Sequence, residues 1–181
     1  MIEVNKDGYF NNTMEVSTMK ALKSDSVKRD MEIEKIPEKP MVIKKLVYDF
    51  NSAQLSMDSK NILDTTLVLL LKKNPDIIIE VYSHTDNKGS DKYNMTLSQQ
   101  RAESVVNYLI AKGFNKNRFK AVGYGETMPL VPNENPDKSD NPSNRQINRR
   151  TEFKITGKID PNSIDYDYEE STDKENLKNN K

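Results

Sequence analysis

The chain has 181 residues, of which 34% are hydrophobic and 31% charged, with 28 basic and 28 acidic side chains, one histidine and no cysteine. A net charge of zero argues against a general nucleic-acid binder, whose affinity rests on surplus cations. The absence of cysteine excludes disulfides, thiol nucleophiles and cysteine zinc sites, and a lone histidine gives no metal ligand set; neither a metal nor a cofactor is expected.

Residues 1–36 read as extended structure. "EVNKDGYFNNTMEVST" alternates around a Lys-Asp-Gly turn, and "VKRDMEIEKI" sets Val27, Met31, Ile33 and Ile36 against charges. Two or three strands do not fold alone, so this stretch is expected to be the end of a β-module that begins upstream. "PEKP" predicts a stiff linker over 37–41. The first residues lack the apolar stretch of a signal peptide, and the longest apolar run, Leu67–Leu71, is too short to span a bilayer. The chain is therefore expected to be either cytosolic or part of a longer protein whose targeting region lies upstream.

The core is expected over 42–157. "KKLVYDF" predicts a strand. Ser56 is placed to cap a helix with Asp58 in its first turn, and Leu63, Leu67, Leu70 and Leu71 follow its apolar stripe until Pro75. "DIIIEVYS" is a β-branched run suited to a central strand. Ala102, Val105, Val106 and Leu109 give a second helical stripe, with Ser98 a candidate N-cap and Gly113 at the glycine position beyond the C-terminus. "RFKAVGYGE" and "RRTEFKITG" predict two more strands, the last with Thr151, Phe153 and Ile155 on one face. The order βαβαβ-β predicts an α/β two-layer sandwich, with both helices on one face of a mixed four-stranded sheet. The proline-rich segment 130–147 is expected to be a long surface loop, and 158–181, with few aliphatics and many charges, a disordered tail.

The candidate site follows the central strand, where ligands bind in open α/β sheets. His84, Thr85 and Asp86 stand at the mouth of the "DNKG" turn. Two readings are open: Asp86 caps that turn and His84 is a satisfied histidine, or these residues meet a ligand. No nucleophile with a local signature accompanies His84, which argues against an enzyme. Arg101, read as close to the start of the second helix, would sit beside free N–H groups and suit an anionic group. A carboxylate (Asp86) and a guanidinium (Arg101) at neighbouring element ends could clamp a zwitterionic amino-acid group, ammonium on one and carboxylate on the other. "GYGE" at Gly123–Glu126 lacks the lysine and serine of a phosphate loop and reads as a turn.

Taken together, "VYDFNSAQL", "SHTDNKGSDKYNMTLSQQRA", "GYGETMP" and "NRRTEF" strongly resemble the OmpA-like C-terminal domain also found in Pal lipoproteins and flagellar MotB proteins, over roughly Val42 to Gly157. The resemblance implies a non-catalytic domain that binds peptidoglycan through the diaminopimelate of the stem peptide. It assigns the ammonium to Asp86 and the carboxylate to Arg101. Thr85, Asn94 and Leu97 would shape the same pocket, and Phe50, Asn51 and Arg149 would line its edge. Asn51 departs from the aspartate common at that position. The resemblance also implies a periplasmic, outer-membrane-associated location, with the export signal and anchor upstream. Residues 1–36 would then be the tail of a carboxypeptidase-regulatory-like β-sandwich, as in multidomain proteins of Bacteroidetes-type bacteria, and partners would be peptidoglycan and outer-membrane proteins. Two alternatives are an interaction scaffold of the same fold that uses the proline-rich loop and the acidic tail, and a cell-wall hydrolase built on His84 and Asp86.

Overall fold

The computed structural model describes residues 2–16, 30–48 and 51–159. Phe50, residues 17–29 of the expected β-module and most of the expected tail lie outside the described residues. Two short strands, β1 (Ile2–Val4) and β2 (Asn12–Met14), form an antiparallel ribbon. The main sheet contains β3 (Met41–Val42), β4 (Ile77–His84), β5 (Phe119–Gly125) and β6 (Thr151–Lys158) in the order β3-β6-β4-β5. β4 runs parallel to β5 and antiparallel to β6, and β3 is antiparallel to β6, so the sheet is mixed and four-stranded as expected.

Leu63, Leu67 and Leu71 from one helical layer element meet Ala102, Val105 and Leu109 from the other over Ile77, Ile79, Val81 and Ile155. Alternation in β4 thus aims its odd-numbered side chains at the helices, while Glu80, Tyr82 and His84 face the other way. The first helical element runs on through α1 (Met57–Leu63), a π-helical stretch (Asp64–Val68) and α2 (Leu69–Lys73). Ser56 caps it by accepting from the Ser59 N–H at 3.1 Å. The widened turns coincide with Thr65 and Thr66, whose hydroxyls donate to the carbonyls of Asn61 and Ile62 and so compete for the ladder's acceptors.

Three expectations are corrected. The first core strand is not "KKLVYDF": pairing covers Met41–Val42, and a turn with Lys45 at φ 64° breaks the extended run before Tyr48, which makes a single bridge to Leu55. The second helix, α3 (Asp91–Ala111), begins well before Ser98. Its cap is Ser90, which accepts from the Tyr93 N–H, and Ser98 lies buried in the helix interior. Its C-terminus closes as the glycine signal implied: Gly113 N–H bonds Ile110 and Phe114 N–H bonds Leu109. Finally, the 130–147 segment is not loop throughout, because it contains α4 (Pro142–Asn148), capped by Asn141 with proline in the first turn.

The N-terminal ribbon is tied to the edge of the sandwich away from the β4–α3 loop. Asn11 bonds Asn74 and Asp76 at the entry to β4, and Lys158 at the end of β6 pairs with Asp76 and bonds Asn5 and Asn11. Phe10 and Ile36 pack on the main core, so part of the 1–36 stretch is continuous with the domain's packing.

Candidate functional site

The carboxyl end of β4 opens into a cavity of about 710 Å³. Its wall is built by Thr85 and Asp86 after β4, Tyr93, Asn94, Leu97 and Arg101 on successive turns of α3, Tyr48 and Asn51 after β3, and Arg145 and Arg149 around the end of α4. Seven of the eight residues expected at the site therefore line one cavity, and the eighth, Phe50, lies outside the described residues. Asp86 and Arg101 are brought to the same space, although no helix terminus places Arg101 there. It sits in the third turn of α3, remote from the free N–H groups at the helix start.

Each wall residue has a distinct local environment. Asp86 is buried, and its Oδ1 accepts from the Lys88 N–H at 3.0 Å, the side-chain-to-backbone closure of an Asx turn. Oδ2 receives both Arg145, at 3.3 Å, and Arg149. The turn-capping and the charge-binding readings of Asp86 thus coexist, one on each oxygen. Asn94 is fully buried and its amide is spent inward, donating to the Asp86 carbonyl at 3.2 Å and to Glu126 at 2.6 Å. It braces the loop. Thr85 donates its N–H to the Gly125 carbonyl, and its hydroxyl is buried with no partner among the described residues. Asn51 holds φ at 50°, a left-handed conformation that asparagine tolerates better than most residues.

Arg101 is oriented from two sides. Its Nε donates to the Ser52 carbonyl at 3.0 Å, and its guanidinium lies 4.9 Å from the centroid of the Tyr48 ring. Tyr48 is fixed in turn by Thr151 at 3.0 Å, and burial pushes its phenol up to about 12. Burial also lowers the Arg101 pKa from its ordinary value, an effect that nearby Arg149 reinforces and Tyr48, Tyr93 and Asp86 oppose. Among the described residues Arg101 has no ion-pair partner, so its terminal N–H groups are available for a bidentate carboxylate.

Reasoning from sequence missed Arg145 and Lys88. Arg145 arrives from α4, and Asp140 grips it through Nε and Nη2 at 2.9 and 2.8 Å. Asp140 also pairs with Lys88 at 3.3 Å. The signals available were the Asn-Pro start of α4 and the arginine three residues further on; the pairing with Asp86 spans 59 residues and has no local trace. The wall carries four cations, of which Asp86 and Asp140 engage Lys88, Arg145 and Arg149, while Arg101 has no ion-pair partner among the described residues.

His84 does not join this cavity. It is buried, stacked on Tyr124 with centroids 5.3 Å apart, and its Nε2 lies 3.7 Å from Glu152. A dyad with Asp86 is not formed. Among the described residues no group of three or more histidines or acids could hold a metal ion, and no helix is long and apolar enough to cross a membrane.

The fold is an α/β sandwich with a cationic cavity at the end of its central strand and one carboxylate opposed to those cations. The chain belongs to the OmpA family, whose match covers residues 47–145. It is 35% identical over 118 residues to outer membrane protein A of Serratia marcescens, covering 62% of this chain and 33% of that protein. It is also similar to the solved peptidoglycan-associated lipoprotein of Burkholderia pseudomallei, at 26% identity and a TM-score of 0.50, over 60% of this chain and 86% of that one. The cell wall anchor of the type VI secretion system of Pseudomonas aeruginosa matches at 26% identity and a TM-score of 0.52, over 65% and 79%. The chain spans between 13% and 33% of the length of the first curated relatives it matches. Two of these relatives are named for association with the cell wall, and none of the three is named as an enzyme.

Proposed function

We propose that this domain binds peptidoglycan non-covalently through the diaminopimelate of the stem peptide and so anchors an outer-membrane protein or assembly to the cell wall. The observation that carries this reading is the sharing of one cavity by Asp86 and Arg101, with Arg101 free of ion-pair partners among the described residues. The ligand's side-chain ammonium goes to Asp86 and its adjacent carboxylate to the Arg101 fork. Leu97 lies against the carbon chain, Thr85 and Asn51 line the remaining wall, and Asn94 keeps the Asp86 loop in place. The names of the relatives, a peptidoglycan-associated lipoprotein and a cell wall anchor, support binding to the wall. A periplasmic location follows from it. The 1–36 stretch, with its β1–β2 ribbon, is then the end of an upstream β-module that links wall to membrane.

Charge-assisted hydrogen bonds contribute about 1.5–3 kcal/mol each, so loss of either partner removes most measurable binding. Asp86→Ala and Arg101→Ala should each stop the protein sedimenting with insoluble sacculi while leaving its circular dichroism unchanged. Sedimentation of both variants like the parent would show that the wall is held elsewhere.

A further inference from the structure

The following inference rests on that reading of the site. Asp86 already has its charge answered twice. Oδ1 is committed to the Lys88 N–H, and Oδ2 is shared by Arg145 and Arg149. A third cation approaching this carboxylate meets two guanidiniums, and like charges at such separations repel strongly in a partly buried site. An ammonium can therefore bind there only if one arginine leaves.

The two arginines are not equivalent. Arg145 is clamped by Asp140 through two hydrogen bonds and has 16% of its side chain exposed. Arg149 has 34% exposed, and its other side-chain bond among the described residues goes to Gln146 on the exposed rim. Arg149 also lies within electrostatic reach of Arg101.

We infer that a zwitterionic amino-acid group inserts into the Arg149–Asp86 ion pair. Its ammonium replaces Arg149 on Asp86, and its carboxylate becomes the shared partner of the displaced Arg149 and of Arg101. Arg145 stays in place as the fixed counter-charge. The exchange opens one ion pair and closes three, and it leaves no charge unanswered. A ligand with the ammonium alone must open the same pair and gives Arg149 nothing in return. Selectivity for the zwitterion is thus built into the Arg149–Asp86 pair, which adds to the preference that Arg101 confers.

Calorimetric titration with a diaminopimelate-containing stem peptide and with its lysine-containing counterpart tests this, because lysine lacks the second carboxylate. The parent should prefer the diaminopimelate peptide by about tenfold or more, the worth of one charge-assisted contact. Arg149→Gln should weaken the diaminopimelate peptide while tightening the lysine peptide, because Asp86 loses one competing guanidinium, so the preference falls to what Arg101 alone confers. Arg149→Lys should restore part of the preference. Arg145→Gln should shift both peptides in the same direction and keep their ratio. Equal weakening of both peptides in Arg149→Gln, or no change in either, overturns the exchange while leaving the site itself in place. If neither peptide binds the parent, or if both bind Asp86→Ala unchanged, the proposed function and the exchange fall together.

Discussion

Gly123 lies directly beneath Gln99: a Cβ built on the glycine would fall 2.3 Å from the Gln99 backbone nitrogen and 2.6 Å from the Ser98 hydroxyl oxygen. The same approach lets the Gly123 N–H donate to Gln99 Oε1 at 2.8 Å and the Gly125 N–H to Ser98 Oγ at 2.8 Å. The glycines of "GYGE" are thus strand residues over which α3 is laid, and this contact positions the α3 turns that carry Leu97 and Arg101.

Gly123→Ala should therefore destabilise the domain by at least the roughly 1–3 kcal/mol typical of overpacking, because the obstacle is backbone and cannot swing aside. Urea denaturation checks the loss of stability. A variant as stable as the parent would mean that α3 and β5 separate easily, and the site geometry would then owe little to their contact.

The parts of the fold that were legible in sequence are those with strong periodicity. Leu63, Leu67 and Leu71, and likewise Ala102, Val105 and Leu109, are each fully buried at the spacing that predicts them. The start of α3 was not legible, because the residues that its first two turns bury are Asn94, Leu97 and Ser98. A helix that lines a polar cavity there shows no apolar stripe, so pattern reading starts it one or two turns late. The short β3 failed for another reason: Val47 and Tyr48 have strand propensity, but the Lys45 turn and the hydrogen bond from the Val47 N–H to the Ser59 hydroxyl turn the chain out of the ladder. Asp86 was legible by its place after a central strand. Arg145 was not, since ion pairs between distant segments are set by the fold.

Asn148, the last residue of α4, ties the segment before that helix to the helix end. Fully buried, its Oδ1 accepts from the N–H groups of Leu130 and Val131, and its Nδ2 donates to the Val131 carbonyl and to Asn133. Asn148→Ala strands three backbone groups, each costing about 1–3 kcal/mol where water cannot replace the partner. We expect faster amide exchange across 130–133 and weaker ligand binding, since Arg145 and Arg149 flank the lost anchor. Unchanged exchange in that segment would show that α4 holds its place without it.

His84 gives the domain a pH dependence that can be assigned to one residue, as it is the chain's only histidine. Burial lowers its pKa from 6.5 to about 4, the Arg150 charge adds to this, and Glu152 opposes it. Arg150 is itself engaged by Glu152 at 2.6 Å, and Tyr124 covers the ring face, so the pocket around the imidazole is built for its neutral form. The sign follows from linkage: below pH 6.5 the unfolded chain takes up a proton that the folded chain refuses until about pH 4. Stability is fully present above the unfolded value, falls as the pH drops through this window, and stops falling on this account once the folded imidazole protonates. Carboxylates titrate mainly below pH 5, so the interval between pH 7 and 5.5 isolates the histidine. Denaturation midpoints should decline over that interval in the parent and stay nearly level in His84→Gln. Parallel declines in the two proteins would mean that the buried imidazole accepts its proton without cost, and that the charges of Glu152 and Arg150 around it are balanced the other way.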